Sequence, residues 1–195
     1  MIEFNEERHE YRVNGVIIPS VTQVLSSVGL PDLSGIPADL LEWKAGLGTA
    51  VHRAIELDCY DDLEESSLHP DVKPYFAGYL QFKKDSGFVP GVAECRIYHS
   101  KYNYAGTADT IGTMGTKADL TLVDYKSGLV DKLCVGPQTA AYVEGWMDAG
   151  EFALIKRRYA LKLNKDATYR LIRLDNKMDF QIFLNALNIY KWRNQ

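Results

Sequence analysis

Two aspartates and a lysine are the residues of this sequence best suited to chemistry. Asp109 ends the segment Tyr104-Ala-Gly-Thr-Ala-Asp109, and Asp124 and Lys126 lie in a hydrophobic run that continues to Gly128. Successive side chains of a β-strand point to opposite faces, so Asp124 and Lys126 share one face. Carboxylates are hard ligands for Mg²⁺, and an ammonium group beside them stabilises negative charge that develops on phosphorus. The segment therefore predicts a centre for metal-dependent phosphodiester hydrolysis.

A predicted turn brings the two aspartates together. Ala105, Thr107 and Asp109 share a face of the first strand, and residues 115–119 have the composition of a turn. An antiparallel pairing across this turn sets Asp109 beside Asp124. Asp-x-Lys alone is common on solvated strands, so the prediction depends on the two segments together.

Gly-Thr-x-Asp, an intervening turn, and a hydrophobic strand ending in Asp-Tyr-Lys-Ser-Gly resemble the motifs of the PD-(D/E)XK nuclease superfamily, specifically its RecB-like exonuclease branch. The resemblance implies an α/β, restriction-endonuclease-like core with a central mixed β-sheet flanked by helices. It implies that Asp109 and Asp124 bind the metal. It also implies that the Tyr125 carbonyl is a further ligand and that Lys126 assists the nucleophilic water.

A helix predicted from about Ala38 to Cys59 carries a second motif. Gly48, His52 and Glu56 are four residues apart and share one helical face. A lone histidine in a helix is more often structural than a ligand. Gly-x-x-x-His-x-x-x-Glu upstream of the two strand motifs is nevertheless similar to the RecB-like pattern, which implies that His52 is a metal ligand and Glu56 its neighbour. An apolar stripe beside this face is predicted to pack on the sheet: Leu47, Val51, Ala54 and Ile55.

A strand predicted over Val92–His99 places Glu94 and Arg96 on one face. The resemblance implies an acidic residue of this strand near the metal. Glu94 is therefore predicted either to bind the metal or to form a salt bridge with Arg96.

Another predicted helix begins at Pro137, a residue favoured at the first helical position, and ends near Ala149. Gln138 and Tyr142 are four residues apart and share a face. They are similar to the Gln-x-x-x-Tyr pair that lines the active site in the RecB-like branch. The alternative is a buried tyrosine bonded to a neighbouring glutamine.

The remaining elements surround these motifs in a predicted single domain. Asn14-Gly15 predicts a hairpin turn, and Ser20 predicts the N-cap of a short helix, so residues 1 to about 30 form a hairpin-helix extension. Pro-Ser-Val-Thr-x-Val-Leu is also similar to an N-terminal signature of phage and mitochondrial exonucleases, and contact of Ser20 with a DNA phosphate is a second interpretation. The later elements are a helix over 70–84, strands over 152–163 and 168–174, and a helix over 177–192.

The net charge of −4 conceals an asymmetry along the chain. From Lys156 to the end, ten Lys and Arg face three Asp, a balance of +7, which leaves −11 for the preceding residues. A basic C-terminal third is typical of a protein that contacts phosphates, and Arg157, Arg158 and Lys162 are the predicted DNA-binding residues. The alternative is that these cations lie on the solvated faces of strands.

Cofactor and location follow from what the chain lacks. Its cysteines, Cys59, Cys95 and Cys134, are not in metal spacing, and no cysteine follows Cys134, so the four-cysteine iron–sulfur cluster of some RecB-like relatives is not expected. The expected cofactor is Mg²⁺ or Mn²⁺. Without eighteen consecutive apolar residues or a signal peptide, the expectation is a cytoplasmic protein of a bacterial or phage-infected cell that does not bind membranes.

Together these features predict a metal-dependent DNA exonuclease. Its expected substrate is single- or double-stranded DNA with free ends, its expected pathway is recombination, repair or degradation, and recombination or replication proteins are its expected partners. The alternatives are a structure-specific endonuclease and a catalytically idle module that binds DNA or a partner. A zinc hydrolase is disfavoured because the four histidines fit no recognised ligand spacing.

Overall fold

A computed structural model describes residues 2–116, 118–150 and 153–195, which form two β-sheets, five α-helices and one short 3₁₀ turn at Glu65–Ser67. The smaller sheet contains β1 (Ile2–Asn5), β2 (Glu10–Val13) and β3 (Val16–Ile18). The larger sheet contains β4 (Val89–His99), β5 (Tyr104–Met114), β6 (Asp119–Lys126), β7 (Arg157–Leu163) and β8 (Tyr169–Arg173). The helices are α1 (Val21–Ser27), α2 (Ala38–Cys59), α3 (Lys73–Ser86), α4 (Lys132–Asp148) and α5 (Asp179–Arg193). None of the described helices combines the length and apolar character needed to cross a bilayer.

The larger sheet is mixed, with its strands in sequential order from β4 to β8. β6 and β7 are parallel, whereas every other neighbouring pair is antiparallel. Parallel neighbours need a crossover connection, and α4 provides it between β6 and β7. The predicted fold class is therefore confirmed: a restriction-endonuclease-like α/β core in which helices flank a central mixed sheet.

Helices cover both faces of this sheet. Leu122 of β6 packs in a core with α1, α4 and α5, whereas Val123 and Tyr125 pack in a second core with α2 and α3. The alternation predicted for β6 is thus confirmed. Because both faces are covered, Asp124 has no exposed surface in the middle of the molecule.

The N-terminal hairpin forms as predicted. Asn14 and Gly15 have φ angles of 50° and 78°, the left-handed conformation that a two-residue hairpin turn requires, and Val13 pairs with Val16 across them. β1, which the sequence did not predict, adds a third strand by pairing with β2. A small core that includes Tyr11, Ile18 and Ala105 joins this sheet to β5.

Ser20 caps α1 as predicted. Its hydroxyl accepts a hydrogen bond from the Gln23 amide at 3.1 Å, and the Gln23 side-chain oxygen accepts one from the Ser20 amide at 3.0 Å. This reciprocal pair is a capping box. Ser20 is only 1% exposed, so the interpretation of Ser20 as a DNA contact is wrong.

The predicted start of α4 is also wrong. The helix begins at Lys132, where the Asp131 side chain accepts a hydrogen bond from the Leu133 amide at 2.9 Å, and Pro137 lies inside the helix. Proline removes the hydrogen bond to the carbonyl four residues earlier. That carbonyl belongs to Leu133, which is 73% exposed, so water can satisfy it.

Two other predicted boundaries involve residues outside the described ranges. Lys117 of the predicted turn and Phe152, the predicted start of a strand, are both outside them. In the described residues the corresponding strand, β7, begins at Arg157.

Candidate metal centre

The centre lies where β5 and β6 separate. These strands pair from Met114 back to Thr110, and beyond that point β5 continues beside β4 while β6 continues beside β7. Because Thr110 pairs with Val123, Asp109 and Asp124 are the first residues of the opening. The Asp109 Oδ2 atom accepts a hydrogen bond from the Tyr125 amide at 2.6 Å. The predicted placement of Asp109 beside Asp124 is confirmed.

Three side chains from different elements converge at this opening. One potential ligand atom from each of His52, Glu94 and Asp109 lies within 4.8 Å of the others. α2 supplies His52, and its predicted apolar stripe holds it against the sheet, since Val51 and Ile55 are each 1% exposed.

The contacts of His52 indicate its tautomer. Its Nε2 atom lies 3.0 Å from the Tyr125 carbonyl oxygen, and its Nδ1 atom lies 3.6 Å from Asp109 Oδ1. A carbonyl only accepts, so Nε2 carries the hydrogen in this contact. The lone pair of Nδ1 then faces a carboxylate, and a cation between the two would stabilise both. Glu56, one helical turn further, pairs with Arg53 at 2.6 Å.

Glu94 belongs to this centre. The pairs Ala93–Thr110 and Cys95–Ala108 place Glu94 opposite Asp109. Burial, reinforced by the Asp109 charge, raises the pKa of Glu94 to about 7. Its φ of 49° is left-handed, which costs a non-glycine residue about 1–3 kcal/mol and is a form of strain that concentrates at functional sites.

The alternative prediction for Glu94, a salt bridge to Arg96, is wrong. Within the described residues, no ion pair joins the two side chains, and the Arg96 guanidinium instead lies 5.4 Å from the centre of the Phe4 ring.

Asp124 and Lys126 form a close pair beside the cluster. Lys126 Nζ lies 2.6 Å from Asp124 Oδ2, and the lysine side chain is 24% exposed whereas the aspartate is fully buried. Burial raises the pKa of Asp124 to about 6, although Lys126 opposes the change. Burial lowers the pKa of Lys126, but the Asp124 and Asp109 carboxylates outweigh it and raise that pKa above its ordinary value.

The donors of this centre fit a hard divalent cation. They are carboxylate oxygens, one imidazole nitrogen and one main-chain carbonyl oxygen, a set suited to Mg²⁺ or Mn²⁺. Among the described residues, Asp124 Oδ1 has no hydrogen-bond partner although it is buried. An unpaired buried carboxylate oxygen is costly, and a bound cation would remove that cost.

Gln138 and Tyr142 lie on the α4 side of the centre. The Gln138 amide donates a hydrogen bond to the Tyr142 hydroxyl at 3.0 Å, and Gln138 and Lys126 both line a cavity of about 250 Å³. Gly106 of the Gly-Thr-x-Asp motif lets Tyr142 approach, because a Cβ atom there would lie 2.7 Å from the tyrosine ring. The shared helical face is confirmed, and the catalytic role of the pair stays a prediction.

The predicted DNA-binding arginines have internal partners. Arg158 is wrongly predicted, because its side chain is 14% exposed and its guanidinium pairs with Asp179 at 2.9 Å. Arg157 pairs with Asp119 at 2.7 Å and is 37% exposed, so its contact with DNA stays a prediction. Lys162 is half-buried, and it donates hydrogen bonds to main-chain carbonyls directly after Lys126.

Comparison with known proteins yields one distant likeness. No family model matches the sequence, and no curated protein matches it. Among solved structures, the crystal structure of LHK-Exo in complex with dAMP resembles the chain at 14% sequence identity and a TM-score of 0.35. The match covers 91% of this chain and 92% of that chain. A likeness this distant assigns no role to any residue.

Tyr11 is a neighbour of the centre that the sequence analysis missed. Its hydroxyl lies 2.7 Å from Thr107 Oγ1 on the motif strand. Burial raises its pKa, with a smaller contribution from the Glu94 charge. Tyr11 belongs to a separate sheet, and no spacing in the sequence predicts how that sheet packs on β5.

Proposed function

We propose that this chain is a metal-dependent DNA nuclease of the PD-(D/E)XK superfamily, in its RecB-like branch, and that it acts as an exonuclease. One observation carries the proposal: ligand atoms of His52, Glu94 and Asp109 converge at the opening between β5 and β6, directly beside the Asp124–Lys126 pair. Acidic ligands with an adjacent ammonium group are suited to phosphodiester hydrolysis. Recombination, repair or degradation of DNA is the proposed pathway.

The residues of the centre divide into ligands and a positioning group. A divalent cation, when bound, supplies polarisation of the scissile phosphate and a lowered pKa for a water molecule. His52 Nδ1, Glu94 and Asp109 would hold it, and Asp124 Oδ1 and the Tyr125 carbonyl oxygen complete the donor set.

Lys126 and Gln138 would act on the substrate side. Lys126, held by Asp124 at 2.6 Å, orients the attacking water and offsets negative charge at phosphorus. Gln138 shares a cavity with Lys126 and is fixed by the Tyr142 hydroxyl, so it is placed to orient the lysine or the DNA.

Digestion of end-labelled linear DNA and of closed circular DNA, in Mg²⁺, Mn²⁺ or EDTA, tests this function. We expect metal-dependent loss of linear DNA only, with no product from Asp109→Asn. Nicked or linearised circles would establish an endonuclease instead. DNA binding by the wild-type chain without any cleavage would refute the enzyme and support the idle module.

A further inference from the structure

A second cleft, of about 540 Å³, opens where β6 ends. Four basic side chains line it, and each comes from a different element: Lys44 from α2, Lys132 from α4, Lys162 from β7 and Arg170 from β8. The backbone of Ser127 and Gly128, which directly follow Lys126, forms the adjoining wall. The sequence analysis did not predict that these four cations meet.

No carboxylate compensates the charge of this cleft. Its lining contains no Asp or Glu, and within the described part of the chain none of the four cations forms an ion pair. Asp131, which precedes Lys132, lines the other cavity and accepts a hydrogen bond from the Leu133 amide. Four unpaired cations around one concavity create a positive potential that attracts an anion.

Lys162 anchors this arrangement. It donates hydrogen bonds to the Ser127 carbonyl at 3.2 Å and to the Gly128 carbonyl. An ammonium group has three donors, so one remains for a ligand. Burial and the charge of Lys44 lower the pKa of Lys162, as expected for two cations that face each other without an anion.

The position of the cleft relates it to the metal centre. Lys162 pairs in register with Lys126 across the parallel strands β6 and β7, whose backbones are about 4.8 Å apart. An anion bound beside Lys162 would therefore lie one strand away from the lysine that we place at the reacting phosphate.

We propose that this cleft binds a phosphate group of the substrate strand, adjacent to the phosphate that is cleaved. The inference rests on the proposed function and names a part of the substrate that the metal centre does not contact. Both an internal phosphodiester and a terminal phosphomonoester have the required chemistry.

Fluorescence anisotropy with labelled oligonucleotides tests the cleft without cleavage. The full chain is titrated in EDTA at several salt concentrations, and Lys44→Gln with Arg170→Gln is compared with Lys165→Gln with Lys177→Gln. All four side chains are exposed, both double variants lose two positive charges, and the control pair lies outside the cleft. Each lost phosphate contact lowers the slope of log K against log salt by about 0.7–0.9.

We expect the cleft variant to bind at least tenfold more weakly with a slope lower by about 1.5, and the control to stay within twofold of wild type. Lys132→Gln, which changes the cleft from another element, should weaken binding in the same direction. Equal effects of the cleft and control variants would overturn the inference. Thermal midpoints by circular dichroism verify that every variant is folded.

Oligonucleotides with a 5′-phosphate, a 3′-phosphate or neither identify the source of the phosphate. A gain in affinity from one terminal phosphate that the cleft variant loses indicates a phosphomonoester, and equal affinities indicate an internal diester. If the wild type binds DNA but never cleaves it, the proposed function fails while a loss confined to the cleft variant still supports the cleft. If the wild type cleaves and the cleft variant binds normally, only the cleft inference fails.

Discussion

Glu94→Gln should stabilise the metal-free protein at alkaline pH. The Glu94 carboxyl is partly buried opposite Asp109, and burial together with that neighbouring charge raises its pKa from 4.5 to about 7. Glutamine has nearly the same shape and also carries a Cβ, so the strain of the positive φ is unchanged. The substitution therefore removes the cost of ionisation and little else.

The magnitude follows from linkage between protonation and folding. Between pH 4.5 and 7 the folded state binds more protons at Glu94 than the unfolded state, so wild-type stability falls relative to the variant as the pH rises. At pH 8 a pKa of about 7 in place of 4.5 corresponds to ~3 kcal/mol. In a domain of this size we expect a midpoint higher by roughly 6–12 °C.

Thermal unfolding followed by circular dichroism in EDTA, at pH 4.5 and pH 8, measures this effect. The difference at pH 4.5 should be under ~0.5 kcal/mol, because Glu94 is then protonated in the folded state. Glu42→Gln, an exposed position on α2, is the matched control and should change neither midpoint. A variant no more stable than wild type at pH 8, or equally stabilised at both pH values, would refute the reasoning.

Three further substitutions test other parts of the structure. Lys126→Ala should reduce cleavage about 10²–10⁴-fold, because the lost group acts on the reaction, while DNA affinity by anisotropy changes less than about threefold; normal turnover would contradict its role. Gly106→Ala places a Cβ 2.7 Å from the Tyr142 ring and should cost ~1–3 kcal/mol in urea unfolding, whereas Gly46→Ala, with open space around it, should stabilise α2 by ~0.5–1 kcal/mol. Ser20→Ala should cost ~1 kcal/mol in the same assay, through loss of the α1 cap.

The parts of the fold that the sequence predicted are those governed by local spacing. The alternation of β6 separates Leu122 from Val123 and Tyr125, and it also determines which face carries Asp124. The turn-forming Asn14-Gly15 pair predicts its hairpin because few residues adopt its backbone conformation at low cost. Such signals extend over a few residues, which is why a single sequence reveals them.

The parts that the sequence did not predict depend on contacts between distant segments. Pro137 was expected to begin a helix, but the Asp131 cap starts α4 earlier and the exposed Leu133 carbonyl tolerates the proline. The left-handed backbone of Glu94 has no local signature, since glutamate rarely adopts it. Its place at the centre arises from its position opposite Asp109 in the sheet.

Charge along the chain also differs from charge on the surface. The basic C-terminal third predicted phosphate contacts for Arg157 and Arg158, yet these arginines neutralise Asp119 and Asp179 inside the fold. The cations left without partners come from four elements spread along the chain, and two of them, Lys44 and Lys132, lie in the half of the charge balance that is acidic overall. A cation contributes to an anion site only if the fold brings it to a concavity and leaves its charge uncompensated. Both conditions are tertiary, so the cleft beside the metal centre becomes visible only when ion pairs are subtracted from the charge pattern.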